Sequence, residues 1–530
     1  MVEPPAMPAT WGNLLTEPLF GARIAGVADR IANHGDPVSN AGPQARSMTR
    51  DSTAAGRQTL TLPGVLHALA TVDVEAFHGL RRHQRQPWYS FLVQLAVIAA
   101  EQAGWSAQQA LAAGEAEWRV ALRGLTGGRD EAWCLVVADL GQPAFLQPPV
   151  PEGSVDDTWG EIATADGVDL LVTAKKHDVK GATITQASPA QWAWALLACQ
   201  TGDGFGGRDL YGIARMNGGL GSRPLIGHTA TPDWSGRFRR DVALLQPQLD
   251  RVREAGPAQG DTALVWCLSW DGTAGLGIVD LHPCFIEICR RLRLRLTVGG
   301  IHACSHATRC ARIDGKALKG MTGDPWTPVN KKEQKSLTLA KAGFTYDKVV
   351  DLLFSGAYAH GAAFPQRPGD GGVLMQGMTR GQGKTEGLHE RWLPVPPPIL
   401  SRRADEAERQ RLDKLAQDRA ADAGAVWAPL RRALLLLQQG APDKPDWQAK
   451  TADPWKAVLN RCIDDAFFSQ LWQAAGQAGD VAQAGWRTWL LAQARGVLER
   501  AIDATPLPGV RRYRAITAAE AQLQSWPKGK

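Results

Sequence analysis

The chain has 530 residues and little cysteine, and what it has is scattered: eight thiols, at positions 134, 199, 267, 284, 289, 304, 310 and 462, with no Cys-x-x-Cys among them. That pattern excludes a disulfide-stapled secreted scaffold and the usual zinc ribbon, and fits a reduced compartment. Long apolar runs are also missing. No stretch reaches the roughly 18 apolar residues that a membrane helix needs, and the opening MVEPPAMPAT lacks the basic start and apolar run of a secretory signal. The expectation is a cytoplasmic protein. Histidine is sparse at 11 residues, and no Gly-x-Ser-x-Gly, His-Glu-x-x-His or nuclease-type acidic pair stands out. No catalytic residue is expected.

What is present is ordinary globular material, 44% hydrophobic and 21% charged, in a chain too long for one core. Its 20 tryptophans outnumber its 12 phenylalanines and 5 tyrosines, and most are expected in packing. The formal charge of +6 is compatible with a polyanionic partner without requiring one. Basic residues cluster around Arg81, at 237–240, at 290–295 and at Lys331-Lys332, and together suggest a composite anion-binding surface.

The most informative stretch is 202–227, GDGFGGRDLYGIARMNGGLGSRPLIG, with nine glycines and Arg208, Arg215 and Arg223 among them. Glycine lets backbone N–H groups approach a phosphate or groove edge, and arginine supplies charge; plain turns between strands are the alternative. A second segment, RGQGKTEG at 380–387, repeats the mixture and favours nucleic acid.

Residues 1 to about 60 read as irregular, with a loop over 35–56. A helical pattern covers 62–113, and strand-length apolar runs follow at 134–138, 170–173, 263–268 and 276–279. Residues 192–199 read as a helix leading into the glycine-rich segment. The expected class is α+β: a large mixed α/β domain over 1–392, a proline-rich hinge at 393–400, and a C-terminal four-helix bundle over 401–530. The bundle helices are placed at 403–437 with a kink at Pro429, 455–475, 481–502 and 511–524.

Three patterns imitate chemistry. Gly383-Lys384-Thr385 has the end of a P-loop, but Met378 stands where that motif needs glycine, and Gly387 and Pro394 leave little room for its helix. Gly202-x-Gly204-x-Gly206 follows a helix rather than the strand of a dinucleotide turn. His302, Cys304, His306 and Cys310 are ligand-type residues without a standard zinc spacing. A nucleic-acid-dependent NTPase and a structural scaffold are the competing functional classes.

The sequence resembles the CasA family, the large subunit of the type I-E CRISPR surveillance complex Cascade. The pieces that carry the resemblance are NLLTEPLF from Asn13, TAKKHDVK from Thr173, GDGFGGRDLYGIARMNGGLGSRP from Gly202, PCFIEICRRLRL from Pro283, ARIDGKALKGMTGDPWTPV from Ala311, RGQGKTEGLHER from Arg380, and the C-terminal helical region, in that order. The resemblance implies a non-catalytic, cofactor-free subunit that sits at the crRNA 5′ end and contacts the backbone, small and 5′-handle subunits. It implies recognition of the protospacer-adjacent motif (PAM) in double-stranded DNA from the minor groove, opening of the duplex for R-loop formation, and recruitment of a helicase-nuclease. By the same resemblance, either Gly204, Phe205, Gly206 and Gly207 or Asn217, Gly218 and Gly219 form the PAM-sensing loop. Lys316 or Lys319 is the minor-groove lysine, and Lys331 and Lys332 hold duplex phosphates. Gln382, between Gly381 and Gly383 and followed by Lys384, is the wedge under the first base pair. Lys175, Lys176, His177, Asp178 and Lys180 lie in the loop that docks on the crRNA handle. Some relatives carry paired Cys-x-x-Cys zinc ligands near that loop; this sequence has none.

Overall fold

A computed structural model describes residues 8–25, 56–170, 186–207, 209–216, 223–364, 371–381, 384–399, 405–477 and 479–526. The chain divides into two compact units, Met1–Gly343 with Ala359–Trp392, and Phe344–Tyr358 with Leu393–Lys530. The second unit therefore draws a segment, Phe344–Tyr358, from within the span that the sequence assigns to the first.

The first unit is built on helices Arg85–Gln102 and Pro189–Gly202, which are buried on nearly every side. The first carries Gln86, Ser90 and Gln94 at helical spacing along one side, whereas the second is apolar nearly all round and is marked as a helix by its cap. Ser188 accepts the Gln191 N–H while the Gln191 side chain returns to Ser188, and Pro189 occupies the first turn. Around the two helices lie short sheets of two or three strands. One places Gly371–Gly381 between Leu225–Thr229 and Lys384–Val395. Gly371 has φ +123°, and a Cβ there would lie 2.1 Å from the Thr229 carbonyl oxygen, so only glycine starts this strand. Another pairs Arg291–Thr297 with Gly300–His306, then Gly160–Ile162.

Tryptophan serves the core. Trp88, Trp118, Trp133, Trp194, Trp266, Trp270 and Trp326 are fully buried, and Phe20, from the NLLTEPLF segment, lies with its ring centroid 4.9 Å from that of Trp88. Several N–H and O–H groups find partners: Trp326 Nε1 and Tyr89 Oη both donate to Asp241, at 2.8 and 2.7 Å.

Several sequence expectations are corrected. Residues 10–13 and 20–24 are strands rather than irregular; the predicted loop at 35–56 lies almost wholly outside the described residues. The run at 263–268 is strand only through Leu264 and then turns into a 3₁₀ helix, as does 276–279 after Gly277. Leu170 sits in a bend, and 171–173 lie outside the described residues. Residues 134–137 are a strand as read.

The second unit is helical: Tyr346–Phe354, Glu406–Ala425, Trp427–Gln439, Asp453–Ala474, Gly479–Ala504 and Gly509–Gln524. The break expected near Pro429 falls at Val426, leaving the proline in the first turn of the following helix, where its missing N–H costs nothing. Leu430, Leu434, Leu459, Ile463, Phe467, Leu471, Trp486 and Leu490 form the unit's interior.

Candidate nucleic-acid interface

Helix Pro189–Gly202 delivers the chain into the glycine-rich loop, and the loop is fixed at its first residue. Asp203 lies 2.5 Å from the Arg290 guanidinium through Oδ2 and pairs with Arg380 through Oδ1. Arg290 also donates to the carbonyls of Gly204, at 3.0 Å, and Tyr211. The loop folds back on itself through Gly206 N–H to Leu210 O (2.8 Å) and Ile213 N–H to Asp203 O (3.0 Å). At the crossing, a Cβ on Gly212 would sit 2.5 Å from the Gly204 carbonyl carbon and 2.7 Å from Phe205 N, so the returning chain can pass only as glycine. Gly207 has φ +129°.

Opposite this loop runs 309–319. The Tyr211 hydroxyl donates to Arg309 O at 2.9 Å, and Gly315 packs against Ala214. A single 3₁₀ turn, Lys316–Leu318, ends at Lys319, which is left-handed at φ +48°. Lys316 and Lys319 are both exposed. Together the loop and this turn enclose a cleft of about 700 Å³ lined by Gly204, Phe205, Tyr211, Ile213, Lys316 and Lys319, among others. The Lys319 carbonyl accepts the Ser336 N–H at 3.0 Å, tying the turn to the hairpin of Val329–Asn330 and Lys335–Ser336. Lys331 and Lys332 sit exposed at that hairpin's tip, whose shape is set by Asn330 Oδ1 accepting the N–H groups of Lys332 (3.0 Å) and Glu333 (2.9 Å).

The structure thus places Gly204, Phe205, Lys316 and Lys319 around one cleft, and brings the Lys331-Lys332 hairpin and, through Arg380, the strand ending at Gly381 to its flanks. Asn217, Gly218, Gly219, Gln382 and Gly383 lie outside the described residues. So do Lys175, Lys176, His177, Asp178 and Lys180, and of Lys384 only the backbone, the first residue of a strand, is described. The described chain just before residue 171 is held by Asp169, which bonds His83 (2.8 Å) and Gln84 (2.7 Å).

The arginines of the glycine-rich segment do not serve as read. Arg215 is buried between Glu287 (3.4 Å) and Asp324 (3.5 Å), with its guanidinium carbon 3.9 Å from the Phe285 ring centroid, and Arg223 is buried against the same Asp324. Burial lowers the Arg215 pKa and pushes the Glu287 carboxyl up to about 7. At Asp324 burial acts upward, but the combined pull of Arg223, Arg215 and its hydrogen bonds holds the carboxyl below its ordinary value. Arg208 lies outside the described residues. Arginines of the three other basic clusters are paired in a similar way: Arg81 with Asp166, Arg239 with Asp73, Arg240 with Asp241 and Arg291 with Glu152. Arg293, fully buried, donates to the carbonyls of Gln142 and Pro148. The carboxylate and carbonyl partners are mostly distant in sequence, which is why counting basic residues overstated the positive surface.

Lys384 opens a strand that pairs with the one ending at Gly381, so no helix N-terminus follows the Gly-Lys pair as phosphate binding by a P-loop requires. His302 Nδ1 is 2.6 Å from Glu161, and Cys304 Sγ faces the Arg293 carbonyl. Among the described residues no group of three or more His, Cys, Asp or Glu is placed to hold a metal, and no helix is long and apolar enough to cross a membrane.

No family model matches the chain, and no curated protein matches it. Solved structures of CRISPR-associated proteins do match. Cse1 from Thermobifida fusca aligns with a TM-score of 0.59 at 13% identity, covering 97% of this chain and 98% of that one. Cse1 from Acidimicrobium ferrooxidans gives 0.56 at 14%, over 98% of both chains, and CasA (Cse1) from Thermus thermophilus 0.57 at 13%, over 88% and 94%. The chain has the α+β Cse1/CasA fold over nearly its full length.

Proposed function

We propose that this chain is a CasA-type large subunit of a CRISPR Cascade complex, a non-catalytic protein that reads the PAM in double-stranded DNA and promotes its opening for R-loop formation. The observation that carries this reading is the convergence on one cleft of a tightly bonded glycine-rich loop and two lysines, in a chain with the Cse1 fold. A minor groove displays few distinguishing groups, so close backbone approach plus lysine suits tolerant readout. Lys331 and Lys332 would hold duplex phosphates on one flank, and Gln382 with Gly383 would enter beneath the first base pair on the other. The 174–180 segment would dock on the crRNA handle beside the neighbouring subunits, and the C-terminal helical unit would serve as a docking module, helping to recruit the helicase-nuclease.

The test compares binding of target duplexes that differ only in the bases flanking the protospacer, by crRNA complexes assembled with and without this chain at fixed salt. Discrimination that depends on the chain supports the reading. Discrimination that is the same without it leaves a scaffold role.

A further inference from the structure

Groove reading by backbone and lysine uses surfaces, yet the loop encloses a cleft of about 700 Å³, well inside the roughly 300–1,000 Å³ typical of sites for small organic ligands. Its floor is apolar, formed by Ile213, Met216 and Ile313, each buried. Its wall carries Phe205, which remains 43% exposed although the backbone on either side of it is pinned. The Phe205 and Tyr211 rings stand edge to face, with centroids 6.5 Å apart. Lys316 and Lys319 stand on the rim. Asp314 lines the same cleft, and a carboxylate there repels a phosphate but accepts a hydrogen bond from an exocyclic amine. An aromatic, apolar hollow with cations at its mouth matches a base drawn out of its stack, whose face lies on the ring while its neighbouring phosphates meet the lysines.

We propose that this cleft is a pocket for a single unstacked nucleobase, held on Phe205, with its flanking phosphates on Lys316 and Lys319. The proposal rests on the DNA-reading role above and adds the occupant of the cavity. Drawing one base out of a duplex beside the flank would also weaken the adjoining pair, where Gln382 would enter.

The test uses the assembled complex and a duplex that carries the recognised flank but no match to the guide, so that hybridisation opens nothing. 2-Aminopurine is scanned through the flank and the adjoining pairs. One position is expected to change its emission on binding. Phe205→Ala should abolish that change and weaken binding roughly five-fold or more, the loss of one base–aromatic stack, while Phe205→Tyr, which keeps the ring, retains both. No responding position, or a response unchanged in Phe205→Ala, overturns the base pocket. Flank discrimination is read in the same titrations: if it persists without any responding base, only the pocket fails, and if it is absent in the native complex, the DNA-reading role fails with it.

Discussion

Arg380 and Asp203, 177 positions apart, form an ion pair that joins the strand leading toward Gln382 to the first residue of the glycine-rich loop. Arg290 takes the other carboxylate oxygen, so Asp203 is the common anchor of both segments. All three side chains are nearly buried, at 11–13% exposure. Asp203→Asn leaves two guanidiniums without their counter-charge. We expect a loss on the order of 3–5 kcal/mol, the scale of a broken buried pair, in urea unfolding of the first unit, with flank discrimination and duplex opening falling together. Loss of one without the other would show that the two segments work independently.

Gly212→Ala inserts a methyl carbon that would lie 2.5 Å from the Gly204 backbone. Overpacking of that kind costs roughly 1–3 kcal/mol, and here the strain falls on the loop itself. Limited proteolysis is expected to open a new cut near 204–212 and flank discrimination to drop, while the C-terminal helical unit melts as before.

Lys331→Ala with Lys332→Ala should act on charge, since both side chains lie at an exposed hairpin tip. Each phosphate contact contributes about 0.9 to the slope of log affinity against log salt. The pair should therefore lower the slope by roughly 1.8 and weaken matched and mismatched flanks equally. An unchanged slope would remove these lysines from the interface.

Gln382→Ala should reduce duplex opening more than initial binding, because a wedge acts at the unstacking step, which costs a few kcal/mol. Comparing affinity for a pre-opened duplex with that for a closed one reads the difference. Equal losses on both would count against the wedge.

Glu287 gives the fold a pH dependence. Burial pushes its carboxyl up to about 7 from 4.5, with Asp324 adding to the effect and Arg215, the Ala214 N–H and Arg223 opposing it. A folded-state pKa above the unfolded one means that this group's contribution is complete below 4.5 and is lost as pH rises through about 7. Asp324, held below its usual 3.8, acts in the opposite sense and at more acidic pH. Chemical denaturation should show stability falling across the window from 4.5 to about 7, and Glu287→Gln, which can still accept the Ala214 N–H, should flatten the fall.

Helix Pro189–Gly202 and the C-terminal helices were legible in the sequence, because caps and breakers are local signals. The role of Arg215 and Arg223 was not, because Glu287 and Asp324 come from segments that only the tertiary fold brings near. The cleft was half legible: the lysines at 316 and 319 could be named through the resemblance, but nothing local told that Gly212 must cross Gly204 to close its wall. The strand runs at 263–268 and 276–279 were overread because apolar residues continue past the last ladder bond into 3₁₀ turns.

Arg290 directs its donors inward, to Asp203 and to the carbonyls of Gly204 and Tyr211. The arginine that shapes the loop is therefore not displayed to a passing duplex, and Arg215 and Arg223 are withdrawn in the same way. In the proposed role this limits the general hold on any phosphate backbone, the part of DNA affinity that ignores sequence. A reader built so would let go of wrong sites quickly, and its speed in searching a long genome would follow from the positive charge that its fold conceals.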